Sequence, residues 1–155
     1  MDAYGGFCGM KKPPKSKRIK SLRAKLWKLI SIYVRSTSGV DGSTLQGKCF
    51  TCDKWISLKY EADTGHMYEK KAFGYLYYDV RNLRIQCATC NRAKAGNVIE
   101  YERRLRKELG AEHMEEMHAT RNIKPNFTEE WLIDEVAKYE TLVSKLPFVL
   151  SENKE

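Results

Sequence analysis

Two Cys-x-x-Cys pairs constrain this chain more than any other feature of its sequence. Cys49 and Cys52 form the first pair, and Cys87 and Cys90 form the second, with residues 53–86 inserted between them. Thiolates three positions apart on a tight turn can both reach one Zn²⁺ at about 2.3 Å, and two such turns complete a tetrahedron. We therefore expect a structural zinc site. It leaves no coordination position open, so any chemistry must take place elsewhere.

The composition bounds the class of protein and its cellular setting. The 155 residues are 42% hydrophobic and 31% charged, which suits one globular domain with a modest core. No apolar run could span a bilayer, and the N-terminus has no signal-peptide pattern, so we expect a cytoplasmic protein without membrane association. Thiols stay reduced there, which favours metal binding over disulfides. Cys8 is left over, and a free thiol is favoured over a ligand role.

The net charge of +8 is concentrated at the N-terminus. Residues 1–36 hold ten Lys or Arg against one Asp, while the remainder is nearly balanced. Such a basic arm is typical of proteins that bind a phosphate backbone. RNA and membrane surfaces attract the same arm, so charge alone does not select DNA.

Apolar periodicity and punctuation residues divide the chain into three parts. Residues 1–19, with their glycines and prolines, are expected to be a flexible basic tail. Residues 20–110 should form the zinc-bearing domain, and 111–155 a helical C-terminal extension. The last helix of this extension, 128–146, has an acidic face. It is expected to pack on the domain or form a homodimer, and a role as a protein-interaction adaptor is the weaker alternative.

Helices and short strands are expected to alternate within these parts. A 3.6-residue period predicts a helix over 20–35 with a basic face, and residues 36–48 are expected to be a loop. The predicted strands are 55–60, a segment around His66, and 82–87. Asn97 is expected to cap a helix that ends at Gly110, followed by a short helix over 111–119.

These motifs, in this order, resemble an HNH-type endonuclease and, more closely, the NinG/Rap family of phage recombination nucleases. The matching segments are Leu26–Arg35, Cys49–Cys52, Asp63–His66, Asn82–Cys87, Cys90–Asn91 and Gly96–Tyr101. The resemblance implies an α+β fold, a zinc-stabilised ββα-metal (HNH/treble-clef-like) finger flanked by α-helices. It also implies a metal-dependent, structure-selective DNA endonuclease that cuts branched recombination intermediates such as Holliday junctions and D-loops. The expected location becomes the host bacterial cytoplasm, with recombination or replication proteins as partners.

The resemblance assigns roles to individual residues. His66 would be the general base, and Asn82 would hydrogen-bond near it and hold its ring. Asn91 would bind a catalytic Mg²⁺ or Mn²⁺ and lie across from His66. Gly65 departs from the commoner pattern, in which an Asp or His ligand precedes the base. Asp63 is either the second ligand, brought in by a bend at Gly65, or a turn-capping residue that faces away from His66 on a regular strand.

DNA contacts are expected from the basic face of the first helix, the tail and the segment after Cys90. The residues concerned are Lys17, Arg18, Lys20, Arg23, Lys25, Lys28, Arg35, Arg92 and Lys94. The basic residues at 103–107 fit ordinary ion pairs within a helix better than a DNA track. Tyr75, Tyr77 and Tyr78 either pack in the core, which is favoured, or stack on unpaired bases. The alternative function is a non-catalytic zinc-stabilised module that binds nucleic acid.

Overall fold

The chain combines α-helices with two small β-hairpins. The computed structural model describes residues 15–39, 45–68, 74–147 and 150. The α-helices and β-strands in this part of the chain are α1 (Lys15–Thr37), β1 (Gln46–Lys48), β2 (Trp55–Ser57), β3 (Ala62–His66), β4 (Leu83–Cys87), α2 (Val98–Leu109), α3 (Ala111–Thr120) and α4 (Glu129–Ser144). A short 3-10 helix covers Val80–Asn82, and a π-helical turn covers Thr89–Ala93. The expected mixed α+β class is confirmed. The expectations for residues 1–14, including Cys8, lie outside the described residues.

The first helix is longer than its period predicted. It begins at Lys15 and ends at Thr37, so the prediction of a flexible tail was wrong for residues 15–19. Ile19 packs against the core and extends the apolar stripe by one turn, which favours helix over tail. The stripe itself is confirmed. Its buried members are Leu26, Ile30 and Val34.

Two antiparallel hairpins carry the cysteine pairs. In the first, Lys48 of β1 lies opposite Trp55 of β2, so the predicted loop over 36–48 ends in a strand. The strand predicted over 55–60 stops at Ser57, because Glu61 accepts from the Ser57 amide and closes a turn. In the second hairpin, β3 pairs with β4 in unbroken register from Ala62–Cys87 to His66–Leu83. The strand predicted around His66 is confirmed.

A second, smaller core forms where α2 and α3 meet the β3–β4 hairpin. Its buried residues are Met67, Leu76, Tyr101, Leu105, Met114 and Met117. The predicted end of α2 at Gly110 is confirmed, with φ at 86°. The predicted N-cap position of Asn97 is confirmed, but its side chain does not cap the helix. Asn97 has a left-handed backbone with φ at 48°, and its side chain makes no capping hydrogen bond.

The last helix completes the first core instead of standing apart. Leu132, Val136 and Tyr139 of α4 are buried together with the α1 stripe. The helix therefore packs on the domain through its apolar face. Thr128 caps it through the Trp131 amide at 3.1 Å. The homodimer stays a prediction. Among the helices that the structure describes, none is both long and apolar enough to cross a membrane.

Candidate functional site

The four cysteines of the two pairs converge. Their sulfur atoms all lie within 4.8 Å of one another, and the Cys52 and Cys87 sulfurs are 3.8 Å apart. A tetrahedral zinc site with Zn–S bonds of about 2.3 Å has sulfur–sulfur edges of about 3.8 Å. The donor set and its spacing therefore fit zinc, and the predicted ligand cluster of Cys49, Cys52, Cys87 and Cys90 is brought together.

Polar groups around the sulfurs prepare the cluster for a cation. The Thr51 hydroxyl lies 3.6 Å from the Cys49 sulfur, and the Cys90 amide donates to Cys87 at 3.5 Å. Burial opposes ionisation of Cys49, but hydrogen bonds from the Cys87 and Thr51 backbones and the Thr51 hydroxyl lower its pKa to about 6. Burial and neighbouring thiols raise the pKa of Cys52 to about 12. One thiolate therefore forms readily, whereas several thiolates together require a bound cation.

His66 ends β3 beneath α1. Its ring is 8% exposed and stacks on Trp27, with ring centroids 5.0 Å apart and an interplanar angle of 20°. Nε2 lies 3.0 Å from the backbone oxygen of Tyr77. Because a carbonyl only accepts, we assign the proton of the neutral ring to Nε2, which makes Nδ1 the basic nitrogen.

Asn82 acts on the backbone around His66. Its Oδ1 accepts from the Tyr68 amide at 2.8 Å, and its Nδ2 donates to the oxygens of Tyr68 and Leu76 at 3.3 and 3.1 Å. Asn82 thus makes hydrogen bonds near His66, to the backbone and not to the imidazole, and its role in holding the ring stays a prediction. Asn82 ties the chain after His66 to the turn that carries Tyr77, whose oxygen holds the ring.

Asp63 and Asn91 meet on the other side of the hairpin. Asn91 Nδ2 donates to Asp63 Oδ2 at 3.2 Å, and Arg92 forms a two-pronged ion pair with the same carboxylate at 2.9 and 3.0 Å. The two predicted ligands of the catalytic ion are thus neighbours. A carboxylate and a carboxamide are oxygen donors that suit a hydrated Mg²⁺ or Mn²⁺.

Position 65 has no room for a side chain, because neighbouring polar groups occupy the space where a Cβ would lie. A Cβ at Gly65 would lie 2.2 Å from Gln86 Oε1 and 3.2 Å from Asn91 Oδ1. Gln86 is fully buried, and its Nε2 donates to Thr51 Oγ1 at 3.0 Å and to the Gly96 oxygen at 2.8 Å. The Gln86 amide therefore fills the place of the missing ligand and links both cysteine turns.

His66 and the Asp63–Asn91 pair face opposite sides of β3. The Thr64 hydroxyl bonds to Ser31 of α1 at 2.9 Å, and His66 has the same parity as Thr64, whereas Asp63 has the opposite parity. The register continues through Gly65 paired with Arg84, so the suggested bend at Gly65 does not occur. The expectation that Asn91 lies across from His66 was wrong on this geometry.

The predicted DNA-contact residues separate into distinct environments. Arg35 is 8% exposed and donates to the oxygens of Ser31 and Leu58, so its assignment to a DNA surface was wrong. Arg18 and Lys25 form ion pairs with Glu129 and Glu140 of α4. Arg23 is half-buried. The exposed members are Lys17, Lys20, Lys25, Lys28, Arg92 and Lys94.

Three contributors to the site were missed in the sequence. Trp27 stacks on His66, the Tyr77 backbone binds it, and Gln86 crosslinks the cysteine turns. Of these, only Gln86 stood out in the sequence. It is a polar residue next to Cys87 in a strand whose every second residue is apolar. The Tyr101 hydroxyl adds a fourth contact, donating to the Gly65 oxygen at 3.1 Å from a fully buried position.

Comparison with known proteins places the chain in a family. Residues 10–147 match the family model described as bacteriophage lambda NinG protein. No solved structure matches the chain.

Curated relatives agree with this match. The chain is 29% identical to protein ninG of Escherichia phage 933W over 102 residues, which is 63% of this chain and 47% of that protein. It is 30% identical to protein ninG of Escherichia phage lambda over 87 residues, covering 56% and 39% of the two chains. The match thus spans less than half the length of these relatives. The family model covers most of the chain, and the chain belongs to the NinG family.

Proposed function

We propose that this chain is a divalent-metal-dependent endonuclease of the HNH superfamily that hydrolyses phosphodiester bonds in branched DNA. The observation that carries the proposal is the meeting of the Asp63 carboxylate with the Asn91 carboxamide, beside the segment that leads into His66. Oxygen donors and a histidine base are the groups that metal-assisted phosphodiester hydrolysis needs. The four-cysteine cluster lies at the end of the hairpin where Ala62 pairs with Cys87, and there it holds β4 against the first hairpin.

Asp63 and Asn91 would hold the catalytic ion. One carboxylate plus one amide oxygen, with waters and substrate phosphate completing the shell, is a donor set that Mg²⁺ accepts. A bound divalent ion supplies charge stabilisation to the phosphate and the leaving oxygen. Arg92 is positioned to exchange its contact with Asp63 for one with a phosphate, because its side chain is 66% exposed.

His66 would take a proton from the attacking water at Nδ1. The Tyr77 oxygen holds Nε2 and fixes the ring orientation, while Asn82 fixes the backbone around it. Because the ring is 8% exposed under Trp27, DNA binding must shift Trp27 or its neighbours to admit the water. Because Asp63 and His66 face opposite sides of β3, the scissile phosphate would have to bind around the end of the strand, where Gly65 and His66 adjoin, to reach both.

Exposed lysines on α1 support a DNA substrate. Lys17, Lys20 and Lys28 are exposed along one helix, and the family is a bacteriophage family. Counterion release at such residues supplies salt-sensitive affinity for phosphates. Branched recombination intermediates, and partner proteins from recombination or replication, remain part of the proposal.

A cleavage assay tests this function. We expect purified protein to cut a four-way DNA junction faster than a linear duplex of the same sequence, in Mg²⁺ or Mn²⁺. His66→Ala should lower the rate by about 10²- to 10⁴-fold, which is typical for loss of a general base. His113→Ala removes an exposed histidine of α3 and should cut normally. The proposal fails if neither ion supports cleavage or if His66→Ala cuts as well as the wild type.

The second candidate is a non-catalytic zinc module that binds nucleic acid. The Gln86 amide favours it, because that group fills the position where a ligand side chain would precede His66. Manganese soaking of crystals separates the two candidates. An anomalous peak between Asp63 and Asn91, distinct from the cysteine cluster, supports the nuclease. Its absence, together with tight DNA binding, supports the module.

A further inference from the structure

Residues 45–61, which form the first hairpin and the turn that follows it, carry large exposed aromatic side chains. Trp55 is 51% exposed and Tyr60 is 64% exposed, and Leu45 beside them is 47% exposed. Among the described residues, neither ring packs against another aromatic ring. Trp27 and Trp131, by contrast, are largely buried in aromatic contacts. Two exposed rings on one short segment are more than a folding role requires, because large exposed apolar groups mark interaction sites.

Each exposed ring has a lysine ammonium over it. Lys48 lies opposite Trp55 in the strand register, and its Nζ is 5.1 Å from the Trp55 ring centroid. Lys59 Nζ is 5.0 Å from the ring centroid of Tyr60. Lys54 adds another exposed positive charge on the same hairpin. Each exposed ring therefore has a cation beside it, one on the strand pair and one on the turn that follows β2.

The acidic residues of this segment are already engaged. Asp53 forms an ion pair with Arg104 at 2.8 Å, and Glu61 accepts a hydrogen bond from the Ser57 amide at 2.8 Å. Within residues 45–61 these are the two carboxylates, so the surface around the rings keeps a positive balance. That balance favours a negatively charged occupant.

We propose that Trp55 and Tyr60, with Lys48, Lys54 and Lys59, form a platform that binds single-stranded DNA. Bases stack on exposed aromatic faces regardless of sequence, while neighbouring lysines bind the phosphates. A duplex offers no free base face to such rings, so the platform selects unpaired segments. The inference rests on the proposed DNA substrate and deepens it: the platform holds a single-stranded arm while the exposed α1 lysines hold duplex.

Binding of a dye-labelled oligothymidine of about 16 nucleotides to the full chain tests the platform. Fluorescence anisotropy in Mg²⁺-free buffer isolates binding from cleavage. Trp55→Ala and Tyr60→Ala should each weaken binding by about 5- to 100-fold, the range for losing one stacked base. Trp55→Phe should restore most of the affinity. Each of Lys48→Ala and Lys54→Ala should lower the slope of log affinity against log salt by about 0.7.

Ile123→Ala is the control, because Ile123 is 49% exposed but lies outside residues 45–61 and has no assigned DNA contact. It should bind oligothymidine like the wild type. Zinc content and the melting transition of every variant show whether the fold is kept. The inference is overturned if both ring variants bind normally, if Ile123→Ala loses as much affinity, or if the wild type does not bind.

The same variants separate this inference from the proposed nuclease function. If the wild type binds oligothymidine through Trp55 but cuts no DNA, the platform stands and the nuclease proposal fails. If the wild type cuts junctions and the ring variants bind oligothymidine as well as it does, the nuclease stands and the platform fails.

Discussion

The β3–β4 hairpin adjoins two potential metal clusters that differ in completeness. The sulfur cluster has four donors within 4.8 Å of one another. Three of its cysteines are buried, and Cys52 is exposed. The proposed oxygen cluster has two protein groups, Asp63 and Asn91, with the exposed Arg92 paired to the carboxylate. A complete shell holds a resident metal, whereas a partial shell with an exposed counter-charge suits an ion that arrives with substrate.

The difference follows from where each donor sits in the chain. Each cysteine pair spans one turn, so local backbone geometry places two sulfurs at once, and only two turns have to meet. Asp63 and Asn91 lie on separate elements and meet only after β3 and β4 have paired. The sulfur cluster therefore helps to form the fold, while the oxygen cluster depends on it.

The largest expected effect is loss of one sulfur donor. Cys49→Ser should abolish zinc binding and cooperative unfolding, because structural zinc contributes about 10 kcal/mol or more, comparable to the total stability of a domain. Metal analysis and thermal denaturation measure both. Cys8→Ser removes the remaining cysteine and should keep one zinc per chain. Asp63→Asn should keep the zinc and the transition, and equal damage from both clusters would contradict the comparison.

A second prediction concerns pH. Zinc displaces thiol protons, and the pKa is raised for Cys52 and Cys87 by burial and lowered for Cys49 to about 6. Zinc affinity should therefore rise with pH between pH 6 and 8, because Cys52 and Cys87 still have to release their protons to the metal there. The pH dependence should be steeper below pH 6, where Cys49 is protonated as well. Competition with a chelating dye measures it.

Binding of Mn²⁺ to the oxygen cluster is the contrast for that titration. A carboxylate and an amide release no proton near neutral pH, so its affinity should be flat between pH 6 and 8. A zinc affinity that changes little with pH would mean that the thiols are ionised before the metal binds.

Local patterns predicted the parts of the structure that local geometry determines. The Leu26, Ile30 and Val34 stripe followed from helical period, and the cysteine cluster from ligand spacing. Asn97 shows the limit of such patterns. A polar residue four positions before Tyr101 suits a cap, but the turn through Gly96 puts Asn97 in a left-handed conformation and turns its side chain toward Cys90.

Contacts between distant elements were beyond sequence patterns. Trp27 is next to Leu26 and off the stripe, and it meets His66 only because α1 lies across the hairpin. The pairing of Arg92 with Asp63 depends on the same assembly. Arg92 and Asp63 were each named as site candidates from the sequence, but their contact was not predicted. Strand parity places His66 and Asp63 on opposite sides of β3.

A smaller effect is expected from filling the space beside Gly65. Gly65→Ala puts a methyl group 2.2 Å from Gln86 Oε1, and Gln86 cannot move without losing its bonds to Thr51 and Gly96. We expect a loss of about 1–3 kcal/mol in the free energy of unfolding, measured in urea. In a Gln86→Ala background the same change should cost less. If the Gly65→Ala and Gln86→Ala losses in the free energy of unfolding are additive, the added methyl group does not clash with Gln86.

The smallest expected effect is at Arg92, and it tests whether the oxygen cluster is an exchangeable ion site. Arg92 lies against Asp63 where a divalent ion would bind, so Arg92→Ala should tighten Mn²⁺ binding by roughly two- to fivefold and weaken DNA binding. Calorimetric titration with Mn²⁺ measures the first effect. Lys94→Ala, which removes an exposed cation from the same turn, should leave Mn²⁺ affinity unchanged. Weaker Mn²⁺ binding by Arg92→Ala would mean that Arg92 orients Asp63 as a fixed structural pair, and the two clusters would then both be structural.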